Sequence, residues 1–265
     1  MKKVPFQKAK RNHSRIEEID ILRGVAFLGM VLHHVLFFLQ WKHVIPYGSV
    51  DWLLSILGPV VRITFIGLVG VSSWLWFLKY TQGFSDQPLY LRLRSNNIMR
   101  AALRRSLHVG TAAVVVSLFS AIFVPRYMIN FGVLHLIAVS VILIVPFLAM
   151  PRLSTLVGLL LLVLGSNMHR FLFIPSELSW FIQASMVRPT LDYFPILPWF
   201  GFVLLGLGLA HVLYGDKPTS LVSLRKDTPI PGFPLLGWIG RNALVLYVIQ
   251  LPLIVLVIEL ILIIS

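Results

Sequence analysis

Apolar residues in this chain come in long runs broken by short polar clusters. They show neither the alternation of a half-buried strand nor the narrow stripe of a soluble amphipathic helix. Seven runs are long enough to be drawn as membrane spans, at about residues 20–41, 52–78, 107–124, 130–149, 153–168, 194–213 and 236–261. Each is expected to be helical, because lipid offers no partner to a backbone amide. The pattern predicts an all-α, polytopic transmembrane helix bundle, with a basic segment at 1–19 and a single transmembrane domain over 20–265.

Composition agrees with that pattern. Of 265 residues, 57% are hydrophobic and only 12% charged, about half the charged fraction of an ordinary soluble domain. The net charge of +13 would suggest nucleic acid in a soluble protein, but the basic residues flank apolar runs and are better read as setting orientation. Of the 23 basic residues, 18 fall on one side of the predicted spans, including Arg23 and Arg241 at its rim, and four on the other. This puts the N-terminus in the cytoplasm and the C-terminus outside. No cysteine is present, which excludes disulfides, thiolate metal sites and acyl-cysteine intermediates, and no metal or nucleic acid is expected. The first apolar run lacks a small-residue cleavage site after it and is read as an anchor.

Two loops are substantial. The cytoplasmic one, about 79–106, has a helix start at Ser85-Asp86-Gln87-Pro88, and its basic residues are expected to continue into the third span as one helix. The outer one, about 169–193, carries Trp180, Phe181 and Tyr193. An odd span count without half-to-half similarity argues against an inverted-repeat transporter.

Ionisable groups inside a bilayer are costly unless paired or hydrated, which makes them functional candidates. Asp20, Arg23 and His34 share a face of the first helix: eleven residues are three turns plus about 20°, with a rise of roughly 16 Å. A groove along that face would join a cation at the cytoplasmic rim to an imidazole in the outer part of the membrane. Equally, Arg23 snorkels and His34 bonds a neighbouring carbonyl. Counting depth by helix rise puts His135 and Gln250 level with His34, with Arg62 nearer the middle and His33 about 80° around the helix from His34. Such convergence suggests a water-accessible cavity; independent interhelical hydrogen bonds are the alternative. Arg100, Arg104 and Arg105 orient any membrane protein, yet Arg100 and Arg104 share a face, and guanidinium pairs grip phosphate bidentately. With Arg23 and Arg241 they form a candidate cytoplasmic site for a polyphosphorylated cofactor. At the outer rim, Asp192 and the aromatics through Trp199 suit a sugar or an amine, or simply an interfacial belt. Glu259 is read as solvated.

Five segments in order resemble bacterial members of the heparan-α-glucosaminide N-acetyltransferase catalytic-domain family. They are Ile19-Asp20-Ile21-Leu22-Arg23-Gly24-Val25-Ala26 leading to His34; Phe65-Ile66-Gly67-Leu68-Val69-Gly70; Phe131-Gly132-Val133-Leu134-His135; Asp192 to Gly201; and Gly240-Arg241-Asn242 leading to Tyr247. The spacing from Arg23 to His34 also resembles the first-helix signature of membrane acyltransferases that acetylate surface sugars. The resemblance implies an acyltransferase in a bacterial cytoplasmic membrane. It would move an acetyl group from cytoplasmic acetyl-CoA to an amine or hydroxyl of a cell-envelope glycan or sugar acceptor. On that reading His34 is the general base or carries the acetyl group transiently, with His135 and Arg62 orienting it or stabilising the thioester oxyanion. Asp20, Arg23, Arg100, Arg104, Arg105, Arg241 and Asn242 bind the donor, while Asp192, Trp199 and Gln250 face the acceptor. The chain departs from the family where a histidine often precedes the last-helix proline: here it reads Tyr247-Val248-Ile249-Gln250-Leu251-Pro252, and Gln250 cannot act as a base. The rival readings are a transporter or lipid-handling protein using the same polar layer, and a non-catalytic partner of an envelope enzyme. Acceptor identity, acyl chain and homo-oligomerisation stay open.

Overall fold

A computed structural model describes residues 16–81, 88–93, 96–165, 190–216 and 233–264. The basic N-terminal stretch 1–15, the predicted helix-start residues Ser85, Asp86 and Gln87, and Trp180 and Phe181 lie outside the described residues. The described chain is helical and contains no strand. Its helices are α1 (Glu17–Trp41), α2 (Asp51–Tyr80), α3 (Leu89–Leu93), α4 (Asn96–Phe123), α5 (Val133–Leu143), α6 (Pro151–Gly165), α7 (Ile196–Tyr214), α8 (Phe233–Arg241) and α9 (Ala243–Ile264). Short 3-10 turns occupy Pro125–Tyr127 and Val145–Ala149.

Five helices, α1, α2, α4, α7 and α9, are long and apolar enough to cross a membrane. The outward faces carry large apolar side chains: Leu118, Ile122, Leu156, Val163, Val212 and Ile263 are all well exposed. A water-soluble surface does not present so much contiguous apolar area.

The helix in the predicted fourth span is shorter than its apolar run. Residues 128–132 are not helical, α5 covers 11 residues, and a 3-10 turn containing Pro146 ends it before α6 adds 15 more. Proline supplies no N–H and crowds the preceding turn, so the run breaks there although its hydropathy does not change. The predicted seventh span is likewise interrupted, between α8 and α9 at Asn242, whose side chain donates to the Trp238 carbonyl at 2.8 Å. Arg100, Arg104 and Arg105 do share one continuous helix, α4, with the apolar span that follows.

α7 lies at the centre, packed between α2 and α6, with Val203, Leu204, Leu207 and Ala210 fully buried. α1 packs on α8, α2 and α9, and α4 on α5. Three of these crossings are made at glycine. A Cβ on Gly240 would collide with the Asp20 carbonyl, and one on Gly24 with the Leu236 carbonyl. A Cβ on Gly70 would collide with the Val203 carbonyl and one on Gly206 with that of Gly67, while a Cβ on Gly158 would lie 2.9 Å from the Gly201 carbonyl oxygen and one on Gly201 2.8 Å from that of Gly158. Helices in lipid gain little from apolar burial against one another, so close backbone approach supplies the dispersion that holds them.

Gly70→Val and Gly240→Val should therefore each lower stability by about 1–3 kcal/mol or more. Gly110→Val, where a Cβ meets only the Ala138 methyl at 3.8 Å, should be nearly silent. Heating the detergent-solubilised variants and measuring the monodisperse fraction by size exclusion reads the difference, and equal losses in all three would contradict it.

Candidate functional site

One end of the bundle, which gathers most of the basic side chains, is organised by Arg23. Its guanidinium donates to Asp20 Oδ1 at 2.9 Å, to Ser72 Oγ of α2 at 2.8 Å and to the Gly240 carbonyl of α8 at 3.4 Å. Arg105 of α4 reaches the same region: its guanidinium lies 4.8 Å from the centre of the Trp76 ring and close enough to Arg23 for the charges to repel. Arg23 of α1 and Arg105 of α4 thus come together against Ser72 and Trp76 of α2. Arg100, Arg104 and Arg241 are exposed. Asn242 uses its amide to close the break between α8 and α9.

Along α1 the predicted face does turn inward. Its interior residues include Ile19, Phe27, Met30 and Phe38. His34 lies on this face, its Nδ1 buried with no hydrogen-bond partner among the described residues. Phe27 and Met30 stand between Arg23 and His34 and belong to the hydrophobic core, so packed side chains rather than open space join the two.

Beside His34 the structure gathers two groups. The His33 ring centre lies 5.9 Å from that of His34. Arg62 of α2 folds back one turn, its Nε donating to the Gly58 carbonyl at 3.0 Å. Gly58 has no side chain, and the space a Cβ would take lies 2.7 Å from Arg62 Nη2 and 2.9 Å from His33 Cε1. Arg62 and His33 therefore lie side by side over a bare stretch of α2, and Arg62 acts electrostatically on both histidines.

Asp192, read from the sequence as a rim acid, turns inward. Two backbone bonds stitch its segment to the loop before α5, Leu191 N–H to the Tyr127 carbonyl at 3.1 Å and Phe194 N–H to the Phe131 carbonyl at 3.0 Å. Its carboxylate accepts the Val133 N–H at 2.9 Å, capping the start of α5, and the Tyr247 hydroxyl of α9 at 3.3 Å. A carboxylate suits the positive end of a helix, whose first N–H groups have no partner within it. Burial nevertheless lifts its pKa from 3.8 to about 6, against the pull of those two bonds and of the Arg62 charge.

His135, in the first turn of α5, uses both ring nitrogens. Nδ1 accepts the Gly132 N–H at 3.3 Å, which places the ring proton on Nε2, 3.4 Å from Ser117 Oγ; that hydroxyl donates to the Ile129 carbonyl at 2.6 Å. Trp199 lies between Phe194 and Phe202, its ring tilted against both at 4.8 and 5.7 Å between centres, and packs against the core. Gln250 is 5% exposed, with both amide atoms unpartnered among the described residues. Glu259 keeps 43% of its side chain exposed and pairs with Lys42.

His33, Gly58, Ser72, Trp76 and Tyr247 belong to these clusters but did not stand out in the sequence as site residues. Gly58 carried no chemical signal at all. Tyr247 could have been found by noting that it sits three residues before Gln250, on the same face of the last helix.

A family model described as heparan-alpha-glucosaminide N-acetyltransferase, catalytic, matches residues 15–252. The chain belongs to that family. Neither a curated protein nor a solved structure matches it. The family match spans α1 to Pro252 and so takes in every residue of both clusters. Family membership and five apolar helices together make the chain an integral membrane protein of acetyltransferase type.

The Asp192 carboxyl has a signed consequence for this family member. Its folded pKa lies above the unfolded 3.8, so folding takes up a proton between pH 3.8 and about 6. The penalty for an ionised Asp192 is absent below that window and fully present above it. Asp192→Asn keeps an oxygen for Val133 and Tyr247 without the charge. It should gain thermal stability over the parent at pH 8, by a few degrees, and gain less at pH 4.5. Equal differences at both pH values, measured by thermal unfolding in detergent, would refute the assignment.

Proposed function

We propose that this protein transfers an acetyl group from cytoplasmic acetyl-CoA to an amine or hydroxyl of a cell-envelope sugar or glycan, across a bacterial cytoplasmic membrane. The observation that carries the reading is the convergence of His33 and His34 from α1, Arg62 from α2, and Asp192 with Tyr247 on one interior layer, where both histidines keep a buried Nδ1 with no partner among the described residues. The basic end, about 16 Å away along α1, supplies Arg23 and Arg105 for the donor's phosphates. Arg100, Arg104 and Arg241 add positive charge around that entrance, and Asp20 and Asn242 hold Arg23 and the α8–α9 break in place.

In the proposed reaction the acceptor nitrogen or oxygen attacks the thioester carbonyl while His34 takes its proton. The carbonyl oxygen becomes an oxyanion that Arg62 is placed to stabilise. When the C–S bond breaks, the imidazolium returns the proton to the departing thiolate, leaving the acetylated acceptor, free CoA and neutral His34. His135, with both nitrogens committed, holds the start of α5 and thereby Asp192, and Asp192 holds the Tyr247 hydroxyl. Trp199 packs behind them, and Gln250 faces the acceptor. Entry of a pantetheine arm requires Phe27 and Met30 to turn aside; Met30, unbranched and with three rotatable bonds, does so at low cost.

Purified protein should release CoA from acetyl-CoA in an acceptor-dependent manner. His34→Ala should lower kcat by about 100-fold or more. Arg23→Ala should raise the KM for acetyl-CoA with a smaller effect on kcat. Full activity in His34→Ala would remove this side chain from the chemistry, and solute movement in liposomes without acetyl-CoA turnover would favour transport instead.

A further inference from the structure

Gly58 lies well inside α2, where a glycine weakens a helix relative to alanine. Other buried glycines of the bundle have a plain reason to be there: a Cβ on Gly24, Gly70, Gly206 or Gly240 would strike the backbone of a neighbouring helix. At Gly58 the three atoms nearest the absent Cβ all belong to side chains. They are Arg62 Nη2 at 2.7 Å, His33 Cε1 at 2.9 Å and His33 Nδ1 at 3.4 Å.

Helix geometry explains the arrangement. A long side chain on a helix lies back over the turn before its own Cα, so Arg62 covers position 58. With no Cβ there, the guanidinium settles onto the backbone and its Nε donates to the Gly58 carbonyl at 3.0 Å. That bond fixes the plane of the guanidinium and so the place of its two terminal nitrogens. The same bare patch admits the His33 imidazole from α1. One missing methyl group lets a cation from α2 and a ring from α1 share a spot that alanine would fill.

A competing reason for the glycine lies next to it in the chain. Gly58 precedes Pro59, and a proline ring crowds the Cβ of the residue before it when that residue is helical. The two reasons differ in what they protect. Relief of the proline acts on the backbone and hence on stability. Room for Arg62 acts on where a guanidinium lies, because Arg62 is flexible and exposed and swings aside at little cost to the fold. We infer that Gly58 is a positioning residue for the proposed transfer: its lack of a side chain holds the Arg62 guanidinium, with His33 beside it, in the place from which it stabilises the thioester oxyanion. This rests on the acetyl-transfer reading and adds a residue to its machinery.

The test uses the full chain in detergent, with acetyl-CoA as donor and D-glucosamine or methyl glucoside as acceptor. Pro59→Ala, at an exposed position of α2, removes the crowding by the ring, and Gly58→Ala is then made in that background. The added methyl should lower kcat by about tenfold or more, a part of what deleting an oxyanion donor costs. The KM for acetyl-CoA should stay put and the thermal midpoint should fall no lower than that of Pro59→Ala, alanine being the better helix former. Gly110→Ala, where a Cβ meets only the Ala138 methyl at 3.8 Å, is the control and should leave kcat unchanged. With Pro59 in place, Gly58→Ala and Arg62→Ala together should cost well short of the product of their separate losses, since both act on one guanidinium. The inference fails if Gly58→Ala keeps full kcat in an active Pro59→Ala protein, if kcat falls only together with the thermal midpoint, or if the Gly58 and Arg62 losses multiply in full. Should Pro59→Ala itself be inactive, the pairing with Arg62→Ala decides alone. No acceptor-dependent CoA release by the parent protein with either sugar would bring down the acetyl-transfer reading and this inference with it.

Discussion

Close backbone contact at glycine sets where everything else in this bundle lies. In lipid, an apolar side chain has no reason to prefer another helix over an acyl chain, so register comes from the few places where two backbones touch. α1 meets α8 at Gly24 and Gly240, α2 meets α7 at Gly70 and Gly206, and α6 meets α7 at Gly158 and Gly201. The first contact lays the Asp20 carbonyl against Gly240, which is why Arg23, less than one turn on, reaches the Gly240 carbonyl while still pairing with Asp20. The second fixes the height of α2 against α7, and with it the height of Arg62 against Asp192, which enters α7 four residues before its first turn. The chemistry-bearing side chains are consequences of crossings that contain no chemistry.

A second constraint is the start of α5. A helix that begins inside a bundle leaves N–H groups that water cannot reach, and each needs a partner. Asp192 takes the Val133 N–H and His135 takes the Gly132 N–H. These bonds explain why the loop before α5 and the segment before α7 are stitched together, and why a carboxylate is tolerated there although burial lifts its pKa to about 6. Tyr247, reaching the same carboxylate from α9, ties a third element to the junction.

What the sequence made legible follows from the physics of each signal. Long apolar runs bounded by charge identified α1, α2, α4, α7 and α9, because length and hydropathy are properties of one segment. The breaks at residues 128–132, at the 3-10 turn after α5 and at Asn242 were not legible from hydropathy, which is blind to where a backbone stops being helical. Arg23 and His34 stood out because an eleven-residue step keeps them on one face and an ion in a bilayer is costly. The partners of those residues were not legible: whether Ser72 or Trp76 meets the arginines, or His33 meets Arg62, depends on how two helices are rotated against each other. Asp192 was visible as an acid near a rim, but the direction of its carboxylate depended on an N-terminus forty residues or more away in the chain.

The packing between Arg23 and His34 bears on how a reaction with substrates on opposite faces could proceed in such a bundle. Phe27 and Met30 lie on the α1 face between them, so core side chains separate the two ends. A permanently open route lined by Arg23, Arg62 and two histidines would also pass ions, whereas an apolar plug that yields to a slender donor arm keeps the membrane sealed. The glycine crossings on either side leave α1 little room to slide against α8, or α2 against α7, because their backbones already touch. For the proposed reaction, that favours side-chain rotation at Phe27 and Met30 over helix displacement as the way to admit the donor arm. Under the proposed reaction this makes the thioester's approach to His34 depend on the binding energy of the rest of the donor at Arg23 and Arg105. Remote contacts then offset the cost of parting the core at the reacting end.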